Sequence, residues 1–125
     1  MTKDLDFTTS KDRLPPQSLE AEEAILGGIM LDPNAMSRIS DRLSAEAFYI
    51  NPHKDIYQAA QRLYSQGLPT DLLYITSWLS DNGLLFRVGG RNKLATLVDR
   101  TVSAVNIDAF ADLVMRHLQN SNILW

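Results

Sequence analysis

The chain has 125 residues, and its 45% hydrophobic content is ordinary for one soluble globular domain with a core of its own. The absence of cysteine excludes a disulfide framework and thiolate chemistry. The net charge is −3 and basic residues are dispersed among acidic ones, so this segment is not expected to grip a nucleic-acid backbone tightly by itself. Without a secretory apolar region or a run of roughly 20 apolar residues, a soluble, intracellular protein is expected.

Residues 1–13 are polar and aperiodic and are expected to form a flexible arm. After Pro15-Pro16, helical periodicity predicts a helix over residues 18–31 with Ser18 as its N-cap. One arc of this helix is apolar: Leu19, Ile25, Leu26, Ile29 and Met30. The opposite side carries small residues, which permit the close approach of another helix: Ala21, Ala24 and Gly28. We therefore predict that this helix lies at the centre of a helical bundle.

Glu22 projects into the apolar arc of that helix, where an ordinary surface helix carries no charge. We expect a structural carboxylate that accepts hydrogen bonds, and a catalytic carboxylate is the alternative. Glu20 and Glu23 are interpreted as first-turn acids, which the helix dipole favours.

The next two helices are predicted from a capping residue followed by proline. Asp32-Pro33 begins a helix with Met36, Ile39 and Leu43 on one face. A short turn follows, and its Phe48 and Tyr49 side chains are expected to be buried in the core. Asn51-Pro52 begins the clearest helix, which Gly67 ends. Its inner face is predicted as His53, Ile56, Tyr57, Ala60, Leu63 and Tyr64, and its outer face as Lys54, Asp55, Gln58, Gln61 and Arg62.

Asp71 is predicted to cap a fourth helix that Asn82-Gly83 stops. The apolar positions of this helix are Leu72, Ile75, Trp78 and Leu79. Gly89-Gly90 then predicts a tight turn before a short helix with Leu94, Leu97 and Val98.

Asn106 is expected to cap the last helix, in which Ile107, Phe110, Ala111, Val114 and Leu118 repeat at helical spacing. Leu113 and Met115 widen the apolar arc to about 200°, about twice what one core requires. The surplus predicts a second contact surface, to another chain or subunit. Its candidate residues are Ile107, Phe110, Leu113, Val114, Met115 and Leu118. Because the strand signal is nearly absent, the fold class is predicted to be all-α, with five to seven helices.

The residues themselves predict no catalytic, cofactor or metal site. GGRNK does not fit the G-x-x-x-x-G-K-[ST] spacing of a phosphate-binding loop. His53 and His117 lack a second ligand at i+4, so satisfied core or boundary histidines are expected instead of a metal site. We interpret Tyr57, Tyr64 and Trp78 as core or boundary aromatics in preference to platforms on which nucleic-acid bases stack. The residues alone predict a helical interaction domain.

Four segments, in this order, resemble the N-terminal domain of bacterial replicative DNA helicases, the DnaB family. They are LPPQSLEAEEAILGGIMLD, AFYINPHKDIYQAAQRLYSQGLPTDL, VGGRNKLATLVDRT and SAVNIDAFADLVMRHL. The resemblance covers most of residues 14–118. It implies a helical globule over residues 14–103, followed by the first arm of a helical hairpin over residues 104–125. The end, SNILW, departs from the family's pattern, so a truncated hairpin is expected.

The resemblance implies an assembly and primase-docking domain of a ring-shaped hexamer that unwinds DNA at the replication fork, within the primosome. N-terminal domains are then expected to pair, and a helicase loader is a further partner. ATP and Mg²⁺ belong to a motor domain beyond residue 125. The implied location is the cytoplasm, at the nucleoid, with a plastid as the alternative. The competing hypothesis is a freestanding helical adaptor or helicase-loader-type protein.

Overall fold

The computed structural model describes residues 16–123, and this part of the chain is all-helical, as predicted. A 3₁₀ turn at Ala45–Ala47 separates the second helix from the third. The helices are α1 (Pro16–Leu31), α2 (Ala35–Ile39), α3 (Asn51–Ser65), α4 (Leu72–Asp81), α5 (Gly90–Asp99) and α6 (Ile107–Ile123). The arm predicted for residues 1–13 lies outside the described residues.

Helix α1 lies at the centre of the bundle, where it contacts each of the other five helices. Ile25, Leu26 and Ile29 are almost completely buried on its apolar arc, and Ala21 is buried on the opposite side. Burial on two sides confirms the prediction of a central helix. Leu19 departs from the prediction, because 37% of its surface is exposed.

The start of α1 differs from the prediction. The helix begins at Pro16, and Ser18 is a buried residue inside it, so Ser18 is not the N-cap. Proline favours the first helical position because its φ is already helical and it lacks the N–H that would go unpaired there. No acidic residue therefore lies in the first turn, and the dipole interpretation of Glu20 and Glu23 was wrong.

The predicted cap at Asp32 was also misplaced. The Asp32 carboxylate accepts a hydrogen bond from the Asn34 N–H, at 2.9 Å, and closes a turn. Helix α2 begins only after this turn, at Ala35. The predicted inner face is nonetheless buried, including Leu43, which lies beyond the end of α2.

Phe48 and Tyr49 were both expected to lie in the core, and only Phe48 does. Phe48 is completely buried, with its ring centroid 5.0 Å from that of Tyr57. Tyr49 is 45% exposed, so the prediction for it was wrong. The Tyr57 hydroxyl donates to the carbonyl oxygen of Leu43 at 2.8 Å, and burial raises the pKa of that hydroxyl.

Helices α3 and α4 end as predicted, with Gly67 and Gly83 at positive φ. Helix α3 starts one residue early, with Ile50 as its N-cap in place of Asn51. The Asp71 carboxylate caps α4 by accepting a hydrogen bond from the Tyr74 N–H at 3.0 Å.

For two residues of α3, the predicted side of the helix was wrong. Tyr64, expected inside, is 42% exposed. Asp55, expected outside, is 8% exposed, because Arg87 covers it with two hydrogen bonds of 2.9 and 3.0 Å. The same interaction with Asp55 raises the pKa of Arg87.

Candidate functional site

The inner face of α6 is anchored in the core. Ile107, Ala111 and Val114 are each 1% exposed. They lie four and three residues apart, on one side of the helix, and α6 packs against α1, α2 and the 3₁₀ turn. Ile107 and Val114 therefore belong to the part of the predicted surface that packs on the globule.

Around this buried stripe lie large apolar side chains that the globule covers only in part. Phe110 and Leu113 lie on one flank, Met115 lies on the other, and Leu118 continues the stripe by one turn. Phe110 was expected to be a core residue, and the structure leaves it half-buried. Leu113 and Met115 were expected to stay largely outside the globule, and each is half-buried as well. These four side chains are the candidate contact surface, which we call the α6 flanks.

An ionic cluster fixes the base of α6. Arg38 donates to the carbonyl oxygens of Ala104 (3.2 Å) and Val105 (3.1 Å) and pairs with Asp108 at 2.9 Å. Arg42 pairs with Asp112 at 2.6 Å. Because all four charged side chains are at least a third exposed, each pair contributes little to stability, roughly 0–1 kcal/mol. The cluster links α2 and the residues after it to the first two turns of α6.

Sequence reasoning missed this cluster, although a signal for it exists. Two arginines four residues apart and two aspartates four residues apart both have helical spacing. Their pairing across 70 residues required knowledge of how α2 and α6 pack.

Two glycines of α1 allow its close contacts. A Cβ atom on Gly28 would lie 3.3 Å from side-chain atoms of both Ala104 and Ile107, at the start of α6. A Cβ atom on Gly27 would overlap the Thr101 hydroxyl and come 2.5 Å from the carbonyl oxygen of Leu97, at the end of α5. The prediction identified Gly28 and missed Gly27, whose surroundings are tighter.

Glu22 is a buried structural carboxylate, as expected, and is 1% exposed. It accepts hydrogen bonds from the backbone N–H groups of Tyr49 (2.6 Å) and Ile50 (3.4 Å), at the N-terminus of α3. Its other partner is the His53 ring, with Nδ1 at 2.8 Å from Oε1. His53 is 2% exposed, so it is the satisfied core histidine that the sequence predicted. Glu22 thus caps α3 from a different helix.

An open groove of about 490 Å³ lies beside α6. Its walls come from α1, the end of α5, the connection after α5, and Phe110. Apolar and acidic groups both line it, as do Arg100 and hydroxyl-bearing residues. The groove was not predicted from the sequence, because its lining residues are distant along the chain.

The part of the chain that the structure describes contains neither a metal-binding cluster nor a membrane-spanning helix. Over residues 16–123, no group of three or more His, Asp or Glu side chains is arranged to hold a metal ion. No helix in the same range is long and apolar enough to cross a membrane. The prediction for His117 concerns a side chain outside those described.

Residues 16–123 thus form an all-helical globule in which α6 is anchored in the core and carries partly covered apolar side chains. The DnaB-like helicase N-terminal domain family matches residues 14–116. The chain belongs to this family.

Individual relatives agree with this membership. The replicative DNA helicase DnaB of Nostoc sp. (strain PCC 7120 / SAG 25.82 / UTEX 2576) is 69% identical over 116 residues, which are 92% of this chain and 13% of the relative. The replicative DNA helicase DnaC of Bacillus subtilis (strain 168) is 42% identical over 103 residues, which are 82% of this chain and 23% of the relative. The chain therefore spans less than a quarter of the length of either.

A solved structure shows the same fold. The crystal structure of the N-terminal domain of DnaB helicase from Mycobacterium tuberculosis matches with a TM-score of 0.76 at 37% sequence identity. The match covers 81% of this chain and 70% of that one.

Proposed function

We propose that these residues form the N-terminal assembly and docking domain of a hexameric, ATP-dependent replicative DNA helicase that unwinds duplex DNA at the replication fork. The observation that carries the proposal is the position of the α6 flanks. Phe110, Leu113, Met115 and Leu118 lie along α6, and the globule covers each of them only in part. Such a surface suits pairing with a second copy, because isologous pairing is the simplest closed arrangement.

In this proposal ATP and Mg²⁺ are held by a motor domain outside these residues. Primase and a helicase loader are the proposed docking partners, in the cytoplasm. One observation distinguishes this proposal from the alternative, which is a freestanding adaptor of the same fold. If the encoding reading frame continues into a G-x-x-x-x-G-K-[ST] segment, the adaptor is excluded.

The double variant Leu113→Glu, Met115→Glu tests the pairing. We expect it to shift the monomer–dimer equilibrium toward monomer, because two carboxylates would have to be desolvated in the contact. Both side chains are half-buried, so a stability loss of about 2 kcal/mol in total is expected, which leaves the domain folded. Sedimentation equilibrium measures the association, and circular dichroism checks the fold.

A matched control adds the same charge elsewhere. Gln58→Glu with Gln66→Glu places two carboxylates at exposed positions of α3 and just after it. This control is expected to associate like the wild-type chain. If the folded Leu113→Glu, Met115→Glu variant associates as strongly as the control, the α6 flanks are not the pairing surface.

Weak DNA binding is also expected. The net charge of −3 leaves few cations to displace the counterions of a phosphate backbone. We expect a dissociation constant for single-stranded DNA well above about 1 µM at physiological salt, measured by fluorescence anisotropy. Submicromolar affinity would show that the charge argument is wrong.

A further inference from the structure

A polar pocket lies on the outer side of α3, beside the segment that joins α4 to α5. Its volume is about 330 Å³, and all of its lining residues carry polar side chains: Asn51, Lys54, Asp55, Gln58 and Arg87. We call it the α3 pocket. Because it has no apolar side chain, burial of apolar surface contributes little to binding there. A ligand of this pocket is therefore recognised through charge and hydrogen bonds.

Asp55 holds the Arg87 guanidinium at this pocket. The two carboxylate oxygens of Asp55 accept hydrogen bonds from Nε and Nη2 of Arg87, at 2.9 and 3.0 Å. Asp55 is buried, whereas 63% of the Arg87 side chain is exposed. The third nitrogen, Nη1, donates to no residue that the structure describes. A donor held in place before binding loses little conformational freedom when a ligand arrives, which favours affinity.

The α3 pocket carries a net positive charge. Asp55 and Arg87 compensate each other, and Lys54 adds one positive charge. No acidic residue of the described chain forms an ion pair with Lys54. Helix α3 itself contains no acidic residue besides Asp55. Charge complementarity therefore favours a ligand that carries a negative charge.

The carboxamides of Asn51 and Gln58 add hydrogen-bonding groups of both kinds. Both residues are exposed, and neither side chain is bonded to another described residue. A carboxamide donates through its nitrogen and accepts through its oxygen, and a peptide group offers the matching acceptor and donor. The sugar–phosphate backbone of DNA offers acceptors only, since it lacks the 2′-hydroxyl. The pocket therefore suits an acidic peptide better than a DNA strand.

We propose that the α3 pocket binds an acidic segment of a partner protein, with one carboxylate side chain of that segment between Lys54 and Arg87. The carboxylate accepts hydrogen bonds from the Lys54 ammonium group and from Nη1 of Arg87. The neighbouring peptide groups of the segment pair with the carboxamides of Asn51 and Gln58. No residue of α6 lines this pocket, so the site is distinct from the α6 flanks and goes beyond the pairing proposed for them.

Nuclear magnetic resonance with a model peptide tests this site. The probe is tetraglutamate, blocked at both ends and added to the ¹⁵N-labelled chain up to about 10 mM, in the range of weak complexes. We expect saturable shifts of the backbone amide signals of Lys54 and Arg87 and of the side-chain NH₂ signals of Asn51 and Gln58. Blocked tetraglutamine lacks the carboxylates, and sodium acetate lacks the peptide groups. At equal ionic strength we expect each to bind at least about fivefold more weakly, because each loses hydrogen bonds that the probe makes.

Two pairs of variants separate the pocket from the general charge of the surface. Lys54→Gln removes the unpaired cation, and Arg62→Gln makes the same change in charge roughly two turns further along α3, at an exposed position outside the pocket. Gln58→Glu adds a carboxylate to the pocket, and Gln66→Glu adds one at an exposed position outside it. We expect Lys54→Gln and Gln58→Glu to weaken tetraglutamate binding at least about fivefold, and both controls to stay within about twofold of wild type. Circular dichroism checks that each variant is folded, and Gln58 is fully on the surface, so its variant tests the site by itself.

The proposal is overturned if tetraglutamate causes no saturable shift at the pocket, or if tetraglutamine or acetate binds as tightly. It is also overturned if Arg62→Gln weakens binding as much as Lys54→Gln, because the attraction is then a property of the whole surface. Tetrathymidylate tests the other class of anion. Tighter binding of tetrathymidylate than of tetraglutamate at the same signals would make the pocket a nucleic-acid contact and exclude the proposal. Pairing through the α6 flanks is reported by Leu113 and Met115, so failure of either contact is distinguishable from failure of the other.

Discussion

Replacing Glu22 with alanine is expected to lower the free energy of unfolding by about 3 kcal/mol. The N–H groups of Tyr49 and Ile50 lose their acceptor, and the His53 ring loses its hydrogen-bond partner. The site is too deep for water to replace the carboxylate freely, since Glu22 is 1% exposed. Thermal or urea unfolding followed by circular dichroism measures the loss.

The same helix supplies a matched control. Glu20→Ala removes an exposed carboxylate two residues away and is expected to change stability by less than about 0.5 kcal/mol. Glu22→Gln keeps one acceptor oxygen, so an intermediate loss is expected. If Glu22→Ala unfolds at the same denaturant concentration as Glu20→Ala, the carboxylate does not stabilise the start of α3.

The second large effect is expected at Gly27. Alanine favours a helix over glycine by about 1 kcal/mol, so a helical glycine with open space around it would gain stability on this change. At Gly27 the added methyl group meets Thr101 and the backbone oxygen of Leu97, which cannot rotate away. Overpacking of this kind outweighs the helix propensity, and a net loss of about 2 kcal/mol is expected.

Gly28→Ala is the control for this change. It has the same gain in propensity, while its closest contacts are side-chain atoms of Ala104 and Ile107 at 3.3 Å, which can shift by a few tenths of an ångström. We expect it to change stability by less than about 1 kcal/mol. Equal unfolding midpoints for the two variants in urea would contradict the role assigned to Gly27.

The ends of α3 and α4 and the cap of α4 are local features that were predicted from the sequence, whereas the local signals at Ser18, Asp32 and Asn51 misplaced three helix starts. Asp71, Gly67 and Gly83 act through their own backbone neighbourhood, so spacing and residue type were sufficient to predict them. Burial of one face of a helix followed from periodicity for the same reason. The inward position of Glu22 was also predicted, because the apolar arc in which it lies faces the core.

Features that depend on packing between distant segments were missed. Asp55 looked like a surface residue until Arg87, 32 positions later, was seen to cover it. Tyr49 and Phe48 are adjacent in sequence, and only the packing of Phe48 against Tyr57 shows which of them enters the core. Gly27 and the groove likewise depend on where α5 ends relative to α1.

The central position of α1 has a consequence for how the chain is made. Synthesis proceeds from the N-terminus, so α1 is complete long before α6, the helix that covers its Gly28 side. Contacts between α1 and α6 are distant in sequence, and such contacts slow folding. During translation α1 therefore exposes apolar residues on two sides until α6 has been synthesised. Nascent chains stalled before Ile107 are expected to bind chaperones, and release of α6 from the ribosome is expected to end that binding.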